Sequence, residues 1–177
     1  KYNLILENQI TVQYPENFLV KKPKLGIEGF TWVANTNSFV VSNEKKPPVI
    51  APISDDGEVL HIELPKYADD ISDLAYDEFE HALWVLSDAS QRLLLTDVSG
   101  KKIYDYWDLE MEHPEGITVN NKVDPAELYI VTDPSSPHGD PYVPAIFVFA
   151  KPTVGSGHKG KIPPVPVECD GCESVWV

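Results

Sequence analysis

The sequence predicts an all-β protein, specifically a β-propeller built from four-stranded antiparallel blades. The first observation is that short apolar runs, such as residues 83–86 and 146–149, end at turn-forming residues, as strands do. The second is a sequence pattern that recurs about every 44 residues. The third is that the recurring unit holds four strand-like runs. Four strands in a unit of about 40–50 residues are typical of a propeller blade.

The first strand of each unit carries the clearest repeat. It reads Glu-Gly-Phe-Thr-Trp at 28–32, Ser-Asp-Leu-Ala-Tyr at 72–76 and Glu-Gly-Ile-Thr-Val at 115–119. A further copy, Glu-Ser-Val-Trp-Val, begins at 173. Its longer spacing is explained by an insertion rich in Pro, Ser and Gly at 134–141.

The other strands follow in order within each unit. The second strand ends at a polar residue, and the repeat places Ser42, Ser87 and Thr132 in equivalent positions. The turn at 55–58 recurs at 98–101. In the second unit, the four predicted strands span 71–77, 82–87, 92–97 and 103–109. Alternation of apolar and polar residues also predicts strands at 10–14 and 59–64.

These units predict one propeller domain over residues 1–177, and an incomplete one. The blades are expected at about 27–65, 70–110 and 114–168, with the next blade starting at 173–177. Propellers typically have four to eight blades, so the chain is expected to be a segment of a longer propeller. A β-sandwich also has short strands at regular spacing. It would not need the same pattern at the same phase three or four times.

Composition narrows the classes of function. The chain has 28 acidic and 14 basic residues and a formal net charge of −14. This acidity argues against nucleic acid as a partner, because that affinity comes mainly from neutralising phosphates. It argues equally against docking on an anionic membrane surface. No apolar run reaches the roughly 18–20 residues that a transmembrane helix needs.

The repeats resemble the SdiA-regulated (YjiK-like) family of bacterial propeller proteins. The residues that carry the resemblance are the motifs at 27–32, 70–77, 83–88 and 114–119. The chain departs from the family where Asp73 replaces a frequent glycine. The resemblance implies a five-bladed propeller, export to the periplasm, the cell envelope or the extracellular space, and a bound calcium ion. It implies no established activity.

Four acidic residues are the candidate metal ligands. Glu28, Glu115 and Glu173 share one phase at the start of the first strand of a blade, and Asp73 sits one place later. The innermost strands of a propeller line its central channel, so residues of equal phase converge on the axis. Several carboxylates there suit a hard cation with oxygen ligands, calcium before magnesium. The structural alternative is that each carboxylate accepts hydrogen bonds from backbone N–H groups at a strand start.

Asp88 and Asp133 are the candidate ligand-binding residues, because each follows the second strand of a blade near the predicted channel mouth. Side chains of this type also cap turns, and that structural role is the alternative. No catalytic residue is assigned. The sequence contains no Gly-x-Ser-x-Gly nucleophile motif, and its five histidines are scattered.

Three functions from different classes remain open. The first is an exported, calcium-stabilised binding module for an envelope protein, a glycan or a small molecule. The second is a metal-dependent hydrolase of phytase-like esterase or lactonase type, in which the metal would activate water. The single arginine, Arg92, argues against a phosphate-ester substrate, which favours arginine forks. The third is a purely structural module. The first hypothesis is preferred because it needs no catalytic constellation.

Overall fold

A computed structural model describes residues 9–13, 26–43, 48–63, 65–133 and 144–153. These residues form ten strands in three antiparallel sheets, which we call blades 1, 2 and 3. Blade 1 contains β1 (Gly29–Val33), β2 (Ser38–Asn43) and β3 (Val49–Ile53). Blade 2 contains β4 (Asp73–Asp77), β5 (Ala82–Ser87), β6 (Arg92–Asp97) and β7 (Ile103–Asp108). Blade 3 contains β8 (Pro114–Asn120), β9 (Glu127–Thr132) and β10 (Ile146–Ala150).

The all-β prediction is confirmed, and blade 2 has the four predicted strands in consecutive order. The strand predicted at 59–64 is wrong as a continuous element. Its described residues make only isolated bridges, Ile53 with Val59 and Ile50 with Glu63. Pro52 lies between these bridges and has no N–H to donate, so a regular ladder is interrupted there. The predicted strand at 10–14 is described only through residue 13, where Gln13 makes a single parallel bridge.

The apolar core lies in layers between the blades. Val40 and Ile50 of blade 1 pack against Leu83 of blade 2 in one buried cluster. Trp84 of blade 2 packs with Ile130 of blade 3 in another. Alternate side chains of a strand point to opposite faces, so the central strands β2 and β5 supply core residues to different layers. Three consecutive antiparallel sheets that stack face to face, with their first strands side by side, have the arrangement of neighbouring propeller blades.

The first strands of the three blades lie side by side. β4 contacts β1 on one side and β8 on the other. An added Cβ at Gly29 would lie 2.6 Å from Ser42 Oγ and 2.9 Å from the Cα of Asp73. Glycine at this position therefore allows β1 and β4 to approach closely.

The registers correct the predicted phase of the second strands. Gly29 pairs with Ser42, Asp73 with Leu86 and Gly116 with Val131. Ser42 is therefore equivalent to Leu86, and the predicted equivalence of Ser42, Ser87 and Thr132 is wrong by one residue at Ser42. Asn43 takes the place of Ser42 in that set. The similarity of serine at 42 and 87 concealed the slip, because register depends on cross-strand pairing and not on residue type.

Blade 1 has one face that no blade of the described residues covers. Phe30 on this face is 64% exposed, whereas Leu74, at the equivalent position of blade 2, is 2% exposed. The predicted end of the third blade after residue 153 and the start of a further blade at 173–177 lie outside the described residues.

Candidate functional site

The starts of the three first strands meet at a cavity of about 390 Å³, which we call the acidic mouth. Its lining residues are Glu28, Ser72, Glu115 and Asp133. Glu28 and Ser72 immediately precede β1 and β4, so they hold equivalent positions in blades 1 and 2. The structure therefore brings together two of the candidate metal ligands and one of the candidate ligand-binding residues.

A β-bulge positions Glu115 at the mouth. The register of β8 with β9 passes from Pro114–Thr132 directly to Gly116–Val131, so Glu115 is the extra residue. A bulge bends its strand and changes the direction of the inserted side chain. This is the physical reason that Glu115 lines the cavity although it lies inside a strand, whereas Glu28 lies just before one.

Asp73 does not line the mouth. Its carboxylate accepts a hydrogen bond from the backbone N–H of Ile117, with 2.9 Å between Oδ2 and N. Burial raises the pKa of Asp73, and hydrogen bonds from the backbone N–H groups of Ile117 and Leu74 oppose that shift in part. Asp73 therefore lies at the junction between blades 2 and 3. There its carboxylate accepts hydrogen bonds from backbone N–H groups, which is the structural alternative to metal binding.

Asp88 lies beside the mouth residues without lining the cavity. Its backbone N–H donates to Ser72 Oγ at 3.2 Å, and its Oδ2 lies 3.6 Å from His113 Nδ1. The carbonyl of His113 in turn accepts the backbone N–H of Asp133 at 3.0 Å. His113 has a positive φ of 52°, a conformation that is uncommon for a residue other than glycine. These contacts connect the second-strand ends of blades 2 and 3 around the mouth.

Two features of this region do not follow from the sequence pattern. Ser72 is uncharged, so the pattern of acidic residues at its position does not point to it. Asn43 is 4% exposed, and neither of its side-chain amide atoms has a hydrogen-bond partner among the described residues. Asn43 lies one register position beyond the Gly29–Ser42 pair, on the strand beside Glu28. The sequence places Asn43 among the polar residues that close the second strands, but only the packing shows that its amide is buried.

The donor chemistry of the mouth fits a hard cation, but the spacing does not form a complete cage. Carboxylate and hydroxyl oxygens are the ligands that calcium prefers. Within the ranges that the structure describes, no three His, Cys, Asp or Glu side chains are grouped closely enough to hold a metal ion. The fourth candidate ligand, Glu173, lies outside those ranges.

Comparison with known protein families shows to which family this chain is related. Residues 8–136, more than half of the chain, match the SdiA-regulated family. The chain belongs to the SdiA-regulated family. No curated protein matches this SdiA-regulated chain. The part of it that the structure describes contains no helix long and apolar enough to cross a membrane.

Two solved structures share the fold of this SdiA-regulated propeller at low sequence identity, and a third is less similar. A nidogen/laminin complex contains a chain that is 16% identical, with a TM-score of 0.56 over 72% of this chain and 45% of that chain. The hydrazine synthase of Kuenenia stuttgartiensis is 15% identical, with a TM-score of 0.57 over 86% of this chain and 39% of that chain. The Swd1 β-propeller domain of Myceliophteria thermophila is 11% identical, with a TM-score of 0.47 over 75% and 41%. This chain thus spans less than half of each of these solved chains.

Proposed function

We propose that the chain is a binding module whose acidic mouth takes a cationic ligand, with calcium as the ion to test first. The observation that carries the proposal is the placement of Glu28, Glu115 and Asp133 in one cavity. These three carboxylates come from blades 1 and 3 and the segments beside them. Like charges held in one cavity repel each other, so a bound cation would lower the electrostatic energy of all three.

At most two of the carboxylates of Glu28, Glu115 and Asp133 would contact one calcium ion directly, and the third carboxylate and the Ser72 hydroxyl would act through water. The ion would supply positive charge where the first strands of the blades begin. Because the described residues do not form a three-ligand cage, water or further oxygen atoms would complete the coordination. We therefore expect weak binding, with a dissociation constant of about 10⁻⁴ to 10⁻³ M, as in extracellular calcium modules.

Export to the periplasm, the cell envelope or beyond is part of the proposal, and the family resemblance is what supports it. The partner would be an envelope protein, a glycan or a small molecule. Propeller-like folds occur in protein complexes, as in the nidogen/laminin complex. The alternative of a metal-dependent hydrolase of phytase-like esterase or lactonase type stays a prediction, and turnover of simple esters or lactones is the observation that would favour it.

A thermal melt tests the calcium proposal. The chain is unfolded with about 10 mM calcium chloride, with the same concentration of magnesium chloride and with a chelator. At this concentration, a dissociation constant of about 10⁻⁴ M adds roughly 2.7 kcal/mol to the free energy of unfolding, and one of about 10⁻³ M adds roughly 1.4 kcal/mol. We expect calcium to raise Tm by about 3–10 °C, and magnesium to raise it less.

Matched variants assign the effect to the mouth. Glu28→Gln/Glu115→Gln removes two of the three carboxylates and should abolish the calcium response. Glu58→Gln, at an exposed carboxylate outside the mouth, should keep it. An equal calcium response in the double variant, or no response in the unmodified chain, would show that the mouth is not a calcium site.

A further inference from the structure

A second cavity, of about 490 Å³, lies at the other end of the same three strands. β1, β4 and β8 begin at the acidic mouth and run toward this cavity, where Trp32, Tyr76 and Asn120 line it near the strand ends. Tyr129 of β9 adds a third aromatic ring. We call this cavity the aromatic end. Its volume lies within the range of about 300–1,000 Å³ typical of small-molecule sites.

The aromatic end differs from the buried aromatic core. Trp84 and Trp107, both of blade 2, are 0% and 1% exposed. They pack against each other in the core layer between blades 2 and 3. Trp32 is 40% exposed and packs edge-on against Phe39, with 4.7 Å between ring centroids. Phe39 therefore holds the Trp32 ring in place, while part of the Trp32 side chain stays in contact with solvent. Trp32 shares the uncovered face of blade 1 with Phe30, since both rings contact Phe39, and Trp32 also lines the aromatic end.

The two tyrosines contribute mainly ring surface to this cavity, because their hydroxyl groups already have partners. The Tyr76 hydroxyl lies 3.1 Å from His81 Nδ1. The Tyr129 hydroxyl donates to Glu127 at 2.5 Å. Hydrogen bonds of this kind limit ring rotation, and aromatic groups that are already ordered lose little conformational entropy when a ligand binds.

The polar residues of the aromatic end are almost neutral in sum. One carboxylate, Glu78, and one ammonium group, Lys122, line the cavity together with the amides of Asn120 and Asn121. The acidic mouth, in contrast, has three carboxylates and no cationic lining residue. The two ends of the first strands therefore suit ligands of different charge.

We propose that the aromatic end binds a neutral carbohydrate. A pyranose ring has an apolar C–H face that can stack on an aromatic ring, and hydroxyl groups around its edge that pair with amides and carboxylates. Aromatic rings from three blades provide the first kind of contact, and the Asn120 amide, the Glu78 carboxylate and the Lys122 ammonium provide the second. The Asn121 amide is already hydrogen-bonded to Asp77 and Lys151. This inference rests on the proposed binding function and specifies a ligand class and a second site.

A glycan array followed by titration tests this inference. The chain is applied to an array of neutral and acidic glycans, and the best neutral disaccharide is titrated while intrinsic tryptophan fluorescence is measured. We expect neutral glycans to bind, and we expect Trp32→Ala to weaken the titrated disaccharide at least tenfold. Glu78→Ala changes an exposed turn residue and should weaken it several-fold with no change in Tm. This second variant keeps the test valid if Trp32→Ala unfolds.

Mouth variants separate the two proposals. Glu28→Gln/Glu115→Gln should bind the disaccharide as the unmodified chain does, with or without a chelator. Loss of glycan binding in this folded variant, or unchanged binding in folded Trp32→Ala and Glu78→Ala, would overturn the assignment to the aromatic end. Binding of acidic glycans alone, or of none, would overturn the ligand class. None of these results depends on whether calcium binds at the mouth.

Discussion

The carboxylate of Asp73 accepts the backbone N–H of Ile117 across the junction between blades 2 and 3, with 2.9 Å between oxygen and nitrogen. Asp73 occupies the register position that Gly29 and Gly116 hold in the neighbouring blades. An added Cβ at Gly29 would lie 3.1 Å from one carboxylate oxygen, and one at Gly116 would lie 3.8 Å from the other. The two glycines thus leave the space in which the Asp73 side chain connects the strands.

Asp73 variants should separate the hydrogen bond from the charge. Asp73→Ala leaves the Ile117 N–H without its acceptor and should lower the free energy of unfolding by about 1–3 kcal/mol. Asp73→Asn keeps an acceptor and should cost less. Urea unfolding at pH 7 measures both, and Asp69→Asn, at an exposed residue, is the control. Equal losses for the two variants would show that the carboxylate charge matters, and not the acceptor.

The pH dependence of the Asp73 effect has a defined sign. Burial raises the pKa of Asp73 above 3.8, so the folded state binds the proton more tightly than the unfolded state. The stability from this group is present below pH 3.8 and is lost as pH rises through the folded pKa. The stability of Asp73→Asn relative to the unmodified chain should therefore increase from pH 3 to pH 7.

Lys151 forms the counterpart of this junction at the other end of β4. Its ammonium lies 3.0 Å from the fully buried carboxylate of Asp77, which also accepts Trp84 Nε1 at 3.1 Å. Lys151→Met leaves that carboxylate buried without its cation and should cost about 3–5 kcal/mol in urea unfolding. Asp77→Asn/Lys151→Met should recover part of the loss, and Lys101→Met, at an exposed lysine, is the control. A cost below about 1 kcal/mol would place this pair with exposed surface pairs.

Asp77 responds to pH in the sense opposite to Asp73. Burial by itself raises the pKa of Asp77, but hydrogen bonds from Lys151, Trp84 and Asn121 outweigh it and hold the pKa below 3.8. The stability from Asp77 is therefore present above pH 3.8 and is lost as pH falls through the lower folded pKa. The chain should lose this contribution on acid titration, and Asp77→Asn should not.

Gly29→Ala tests the close approach of β1 and β4. The added Cβ would lie 2.9 Å from the Cα of Asp73, and a backbone atom cannot move away as a side chain can. We expect a loss of about 1–3 kcal/mol in urea unfolding, as for other overpacked sites. Gly26→Ala is the matched control, because its nearest contact would be Glu28 Oε1 at 3.5 Å. Similar losses at both positions would contradict this account of the glycine.

The strands and the repeat were predictable because each is a local property of the sequence. The four strands of blade 2 were predicted to within two residues of the observed bounds, since apolar alternation and turn residues determine them. The strand predicted at 59–64 does not form as a continuous element, because Pro52 interrupts its pairing with β3. The alternation of residues at 59–64 gives no sign of this interruption. The predicted phase at Ser42 is wrong by one residue, because a matching residue type does not establish a matching register.

The sequence by itself determined the fold class, the repeat of blades and the acidity of the chain. Tertiary structure decided which acidic residues meet. Glu28 and Glu115 reach the acidic mouth, whereas Asp73, one register position along, lies at a blade junction. A shift of one residue in a strand turns a side chain to the other face, so pairing decides whether a carboxylate lines the mouth or lies at a blade junction. Only the stacked blades show that the ends of the same strands form a charged mouth and an aromatic cavity.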